Sequence, residues 1–171
     1  MTTAEDRALD DLLERLRTRY YGKYRGIVSD VDASTMRIKA LVPSVLGETE
    51  TGWCLPCVPY AGDGVGIAFL PEKESGVWIE FEGGDLSYPI WVGGYWREGE
   101  VPSDAAPAVK VIVTKRHKLE FDDDQDSITL SDSNGNTVTL DSSGTKTANQ
   151  SSSVLVSSSS VSIDDGALEV Q

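Results

Sequence analysis

Positive charge, sulfur and histidine are all scarce in this chain of 171 residues: 15 Lys and Arg stand against 28 Asp and Glu, with two cysteines and one histidine. Affinity for nucleic acid comes mainly from cations that neutralise phosphates, so a net charge of −13 argues against a polyanionic partner. Two cysteines are too few for a disulfide framework. No run approaches the roughly 20 apolar residues of a membrane-spanning helix. The opening residues, MTTAED, lack the basic and apolar regions of a secretory leader. These absences predict assembly in a cytoplasm, with any membrane role coming from delivery rather than insertion.

The two cysteines fall in Trp53-Cys54-Leu55-Pro56-Cys57, a pattern similar to the redox motif of thioredoxins. That chemistry needs the first cysteine at a helix N-terminus, where the dipole lowers its pKa. The next residues, Val58-Pro59-Tyr60-Ala61-Gly62-Asp63-Gly64, cannot form that helix. Zinc lacks a second ligand pair, because His117 is the sole histidine. The expectation is a strand-edge segment with small buried thiols, no metal and no cofactor.

The clearest local pattern runs from Pro71 to Trp96. Val77, Ile79 and Phe81 alternate with polar residues, the period of a half-buried strand. Gly83-Gly84-Asp85 supplies a turn, and Tyr88 to Val92 the return strand. Pro89 cannot donate to a ladder and belongs at the start of that strand or on its free edge. Gly93-Gly94 closes the unit, with Trp96 as a last anchor.

Before it, residues 3–20 carry Leu9, Leu12, Leu13, Leu16 and Tyr20 on one helical stripe, with Thr2 and Glu5 spaced as a capping box. That helix either packs on its own barrel or docks on a neighbouring subunit. Strands follow at 24–32 and 37–43, joined by a turn at Asp32-Ala33-Ser34-Thr35. A loop from Ser44 to Thr51 leads to the Trp53 strand, and Gly66 to Leu70 reads as another. Five or six short strands suffice for a small closed barrel, which leaves no free edge. The stretch REGEVPSDAAPA, with two prolines, marks a linker.

The last third is rich in Ser, Asp, Thr and Gly and has no aromatic residue except Phe121. Composition alone suggests disorder. Against that stand apolar pairs at Val111/Val113, Leu119/Phe121, Ile128/Leu130, Val138/Leu140, Val154/Val156, Val161/Ile163 and Leu168/Val170. Between them lie turn formers such as Asp132-Ser133-Asn134-Gly135-Asn136 and Asp141-Ser142-Ser143-Gly144. One chain buries too little with such short strands to offset the entropy of ordering them, and it leaves strand edges open. The segment is therefore expected to fold only with copies of itself, these pairs forming the shared core. The acidic runs Asp122-Asp123-Asp124 and Asp164-Asp165 read as solvated turns and not as catalytic carboxylates, so no enzyme is predicted.

These features together resemble the baseplate assembly protein V group, the central spikes of contractile-tailed phages, whose barrel also occurs in the VgrG proteins of type VI secretion. The resemblance rests on Pro71, Val77, Ile79, Phe81, Glu82, Gly84, Asp85, Pro89, Trp91 and Gly93, and on Gly26, Val28, Asp30, Asp32, Arg37, Lys39 and Pro43. In the tail, the run from His117 to Asp123 through Gly135 to Gly144 looks like the start of the spikes' triple-stranded β-helix.

The resemblance implies an all-β fold: an N-terminal helix over 1–21, a small OB-fold barrel over 22–96, a linker over 97–109, and a trimeric, intertwined triple-stranded β-helix over 110–171. It implies a homotrimer in the tail baseplate of a virion, assembled in the bacterial host cytoplasm. The spike would attach to a separate hub trimer, with Leu9, Leu12, Leu13 and Leu16 as docking residues, and would pierce the host envelope mechanically. The linker is too short to hold the lysozyme domain found in some spikes. Several spikes end in a His-x-His pair that holds apical iron. That pair is lacking here, so the needle is expected either to be blunt or to be capped by a separate PAAR-like protein. Few residues precede the barrel, which favours a phage particle over a VgrG with its fused hub. OB-folds also serve as binding modules for single-stranded nucleic acid or glycans, stacking ligands on aromatics such as Trp53, Trp78, Trp91 and Trp96. The acidic balance weighs against nucleic acid in that alternative.

Overall fold

The computed structural model describes residues 4–170 and divides the chain into two units, Met1–Gly99 and Glu100–Gln171. The first begins with helix α1 (Ala4–Arg17). Its Leu9, Leu12 and Leu13 are all exposed, so these three do not pack against the barrel. The side chain of Leu16 and the Thr2–Glu5 capping box lie outside the described residues. The chain is then tied to the barrel by Tyr20, whose N–H donates to the Gly84 carbonyl at 2.9 Å and whose ring meets Phe81 edge-on. Arg19 pairs with Asp85 at 3.0 Å.

The barrel strands follow from alternation. β1 (Tyr24–Asp32) and β2 (Arg37–Leu41) form a hairpin whose turn is closed by Ser34 N–H and Oγ donating to Asp32 Oδ1. A short helix α2 (Pro43–Leu46) occupies part of the expected loop. Proline at its first position suits a helix start, where a backbone donor would go unused. β3 (Leu55–Pro56) is brief, and β4 (Ala61–Gly62) pairs with β5 (Val65–Gly66) as a separate ribbon. β6 (Gly76–Phe81) and β7 (Pro89–Gly94) are the organising hairpin, and Pro89 is the first residue of its strand.

The sheet order is β2-β1-β6-β7-β3, with β3 parallel to β7 and the other pairs antiparallel. The sheet curls into a half-barrel. Residues ahead of β3 return along β2, where Cys54 N–H donates to the Ile38 carbonyl at 2.8 Å and Thr51 N–H to that of Ala40 at 2.9 Å. Inside lie Val28, Ile38, Ala40, Val42, Cys54, Val77, Ile79, Phe81 and Trp91, all buried. Trp91 Nε1–H donates to the Met36 carbonyl at 3.2 Å, which satisfies the one polar atom of the largest core side chain.

Three expectations are corrected. Only Cys54 is buried; the Cys57 side chain is exposed, although its N–H donates to the Trp91 carbonyl at 2.9 Å. Residues 67–70 form no strand, and Ile67 and Phe69 face solvent. Trp96 is exposed, and the anchor at the barrel exit is Tyr95. Its ring lies 5.2 Å from that of Trp78, its N–H donates to the Gly76 carbonyl at 3.0 Å, and Arg25 stacks over both rings. Gly76 is needed there, since a Cβ would lie 2.8 Å from the Tyr95 ring and carbonyl.

Candidate functional site

The second unit is one antiparallel meander: β8 (Val109–Val113), β9 (His117–Asp122), β10 (Ser127–Asp132), β11 (Thr137–Asp141), β12 (Gly144–Ala148), β13 (Ser153–Val156), β14 (Val161–Ile163) and β15 (Leu168–Val170). Each strand pairs with the one before it, so the order in the sheet is the order in the chain. Backbone edges are thus paired within one chain, except along β8 and β15. This corrects the expectation that a lone copy leaves every strand open. What the single chain lacks is cover.

Residues directly opposite in an antiparallel ladder share a face. Leu130 pairs with Leu119 and Val138, and Ile128 with Phe121 and Leu140. Val154 pairs with Ile163, Val156 with Val161, and these with Leu168 and Val170. The apolar pairs of β9 to β11 and of β13 to β15 therefore fall on one face, while Leu155, opposite Lys146 and Ser162, lies on the other. None of the described residues of this unit is buried. Leu130 is 52% exposed and Val156 50%, whereas a monomeric sheet normally hides such side chains. The face is concave beside Leu130, Val138, Thr147, Val154 and Ile163, which line an open hollow of about 680 Å³.

Two assignments change with the register. Val111 pairs with Glu120 and Val113 with Lys118, while Ile112 pairs with Leu119. Val111 and Val113 consequently lie on the face opposite to the other expected core residues, and Ile112 takes their place. β12 contains no apolar pair and gave no apolar signal. It enters the face through Thr145, opposite Leu140 and Val156, and Thr147, opposite Val138 and Val154.

The turns of this sheet are held by side-chain oxygens. Asp122 Oδ1 accepts from the N–H groups of Asp124 and Gln125, Asn149 Oδ1 from those of Ser151 and Ser152, and Ser157 Oγ from those of Ser159 and Ser160. Asp141 Oδ1 accepts from Ser143, and Thr114 Oγ1 from Arg116 and His117. Such bonds fix a turn locally, which explains the Ser, Asp and Asn content. They also account for Asp122 as a turn residue. Asp123 pairs with Lys110, and Asp164 Oδ1 accepts from Ser153 N–H at 2.8 Å. Among the described residues no cluster of three His, Cys, Asp or Glu is placed to hold a metal.

Asp132 is the most strongly held carboxylate. The Asn136 side chain and backbone donate to it at 2.8 and 3.0 Å, and Asn134 N–H at 2.8 Å, bringing its pKa to about 2. Donors that favour the charged form lower a carboxylate pKa. The stabilisation is therefore fully present above about pH 4 and is lost as pH falls through about 2. A carbon-detected NMR titration should place the Asp132 midpoint near 2, and Asn134 and Asn136 amide shifts should move with it. A midpoint at the ordinary 3.8 would show that the turn does not hold its carboxylate in solution.

In the first unit the four tryptophans do not form one stacking platform. Trp91 is core, Trp78 is covered by Arg25 and Tyr95, and Trp53 and Trp96 are exposed, the former with Lys39 Nζ 5.1 Å from its ring. Burial raises the Cys54 thiol pKa, against the weaker opposing effect of the Thr51 hydroxyl, and this suits an inert core residue.

Two family models match the chain. Residues 24–96 match the type VI secretion system/phage-baseplate injector OB domain, and residues 109–169 match the phage baseplate V C-terminal trimerisation domain. No curated protein matches it. The first match covers the curled barrel from the start of β1 to Trp96, and the second covers the meander with its uncovered apolar face. With both parts present in that order, the chain belongs to the phage baseplate V family, structural proteins of the tail baseplate that trimerise through their C-terminal domain.

Proposed function

We propose that the protein is the central spike of a contractile phage tail: a homotrimer whose barrels seat on a separate hub trimer at the tube end and whose C-terminal sheets form a needle driven through the host envelope. The observation that carries this reading is the apolar face of the eight-stranded meander, exposed along its length in one chain. Three copies closing around an axis bury that face on itself and turn the Ser, Thr and Asp face to water. An acidic, hydroxyl-rich exterior has no affinity for lipid, so such a needle crosses a membrane by force and does not partition into it.

The exposed Leu9, Leu12 and Leu13 of α1 support docking of the helix on a baseplate neighbour, with Leu16 on the same stripe by sequence spacing. An apolar helical stripe in a groove is a common recognition mode. The tip at β15 is either bare or capped by a PAAR-like protein. The spike is assembled in the host cytoplasm before joining the baseplate, and its work is mechanical and not catalytic.

Native mass measurement and electron microscopy of the purified full-length chain test the proposal. The expected particle has three copies and a globular head on a thin rod. A single-copy mass, or a compact particle without a rod, sinks it.

A further inference from the structure

We propose that Thr145 and Thr147 of β12 are the alignment residues of the trimer, a hydroxyl layer that admits only the arrangement in which all three copies stand at the same height. The inference rests on the reading that the apolar face is shared by three copies. The other seven strands each bring aliphatic or aromatic side chains to that face, and β12 alone brings two hydroxyls. Both threonines are exposed, and neither hydroxyl has a hydrogen-bond partner among the described residues.

A face built of near-identical aliphatic pairs at one strand spacing is poorly specified along its length. Sliding one copy by a hairpin replaces Val against Val with Val against Leu. Closed threefold symmetry puts equivalent residues at equal heights. Only then do the threonines of one copy meet those of the other two, where hydroxyls can donate and accept among themselves. Any stagger sets a hydroxyl against Leu140, Val154 or their equivalents and strands it in apolar surroundings, which is disfavoured because a buried polar group needs a partner. A lone polar position in an apolar seam fixes register in the same way in helical assemblies. Stagger also leaves part of the face overhanging, open to a fourth copy, and such contacts propagate instead of closing.

The test compares the full-length protein with T145V/T147V and T145S/T147S. Native mass should give one trimer for the wild type and the serine variant. The valine variant should spread over several masses, including species above three copies. Isoleucine methyl NMR should show one signal each for Ile112, Ile128 and Ile163 in the first two proteins and several in the third. A valine variant that remains a single trimer with one signal per methyl overturns the alignment role while leaving the spike intact. A monomeric wild type overturns the spike reading, and the alignment role falls with it.

Discussion

Leu130→Asp is expected to convert the assembled protein into separate single chains. Leu130 sits in β10 with Leu119 on one side and Val138 on the other, and it is half exposed in one copy. An aspartate there therefore costs the isolated chain little. In a trimer the same change acts three times on one enclosed face. Each copy loses roughly 1.5–3 kcal/mol of leucine burial. Each also gains an unpaired carboxylate whose desolvation costs several kcal/mol. The sum per trimer exceeds ~10 kcal/mol, enough to dissociate it at micromolar concentration. Thr129→Asp, one residue away on the opposite face, should leave the trimer intact. Sedimentation equilibrium distinguishes the two, and equal masses for both variants would mean that the apolar face is not the shared one.

Gly144→Ala should break the meander from within. Gly144 opens β12 at φ +134°, a backbone region closed to side chains. A Cβ built there would overlap the Val156 carbonyl oxygen and lie 3.0 Å from its carbon and 3.1 Å from Ser157 Cα. These are backbone atoms and cannot rotate away. Relief requires β12 to part from β13, which breaks the pairing of Thr145 with Val156 and detaches β13 to β15 from the face. The expected loss is upward of ~3 kcal/mol per chain. Gly52→Ala is a fair comparison, since nothing lies within 4 Å of that site and its φ is unremarkable. It should shift the denaturation midpoint little. Matching midpoints for the two variants would contradict the packing at β12.

The barrel was readable where alternation and turn chemistry agree. β1 starts and stops at Tyr24 and Asp32, as its pattern and Asx turn require, and Val77, Ile79 and Phe81 point inward. Reading failed where one signal stood alone. Gly66 to Leu70 is apolar enough for a strand, but beyond the small ribbon of Val65–Gly66 with Ala61–Gly62 the pairing ends at one bond, from Ile67 N–H to the Tyr60 carbonyl. In β8 the run VKVIV is apolar on both sides, so alternation cannot choose a face. The tight turn from Thr114 to His117 chooses it, by setting Ile112 opposite Leu119. β12 was invisible because threonine carries no apolar contrast, although β-branched residues favour strands. The apolar face could be read from the pairs of β9 to β11 and β13 to β15, and the threonines of β12 that interrupt it became visible only through the ladder.

Because each strand of the meander pairs only with its chain neighbours, the sheet works as a ruler. Eight strands at about 4.8 Å spacing make a slab some 34 Å tall, and one further hairpin adds about 10 Å. Such a hairpin brings its own turn and its own two face residues, and disturbs no distant contact. Reach can therefore be lengthened or shortened in steps of two strands by small in-frame duplications or deletions. Relatives of this chain could differ in the length of this unit in such steps while the barrel stays unchanged.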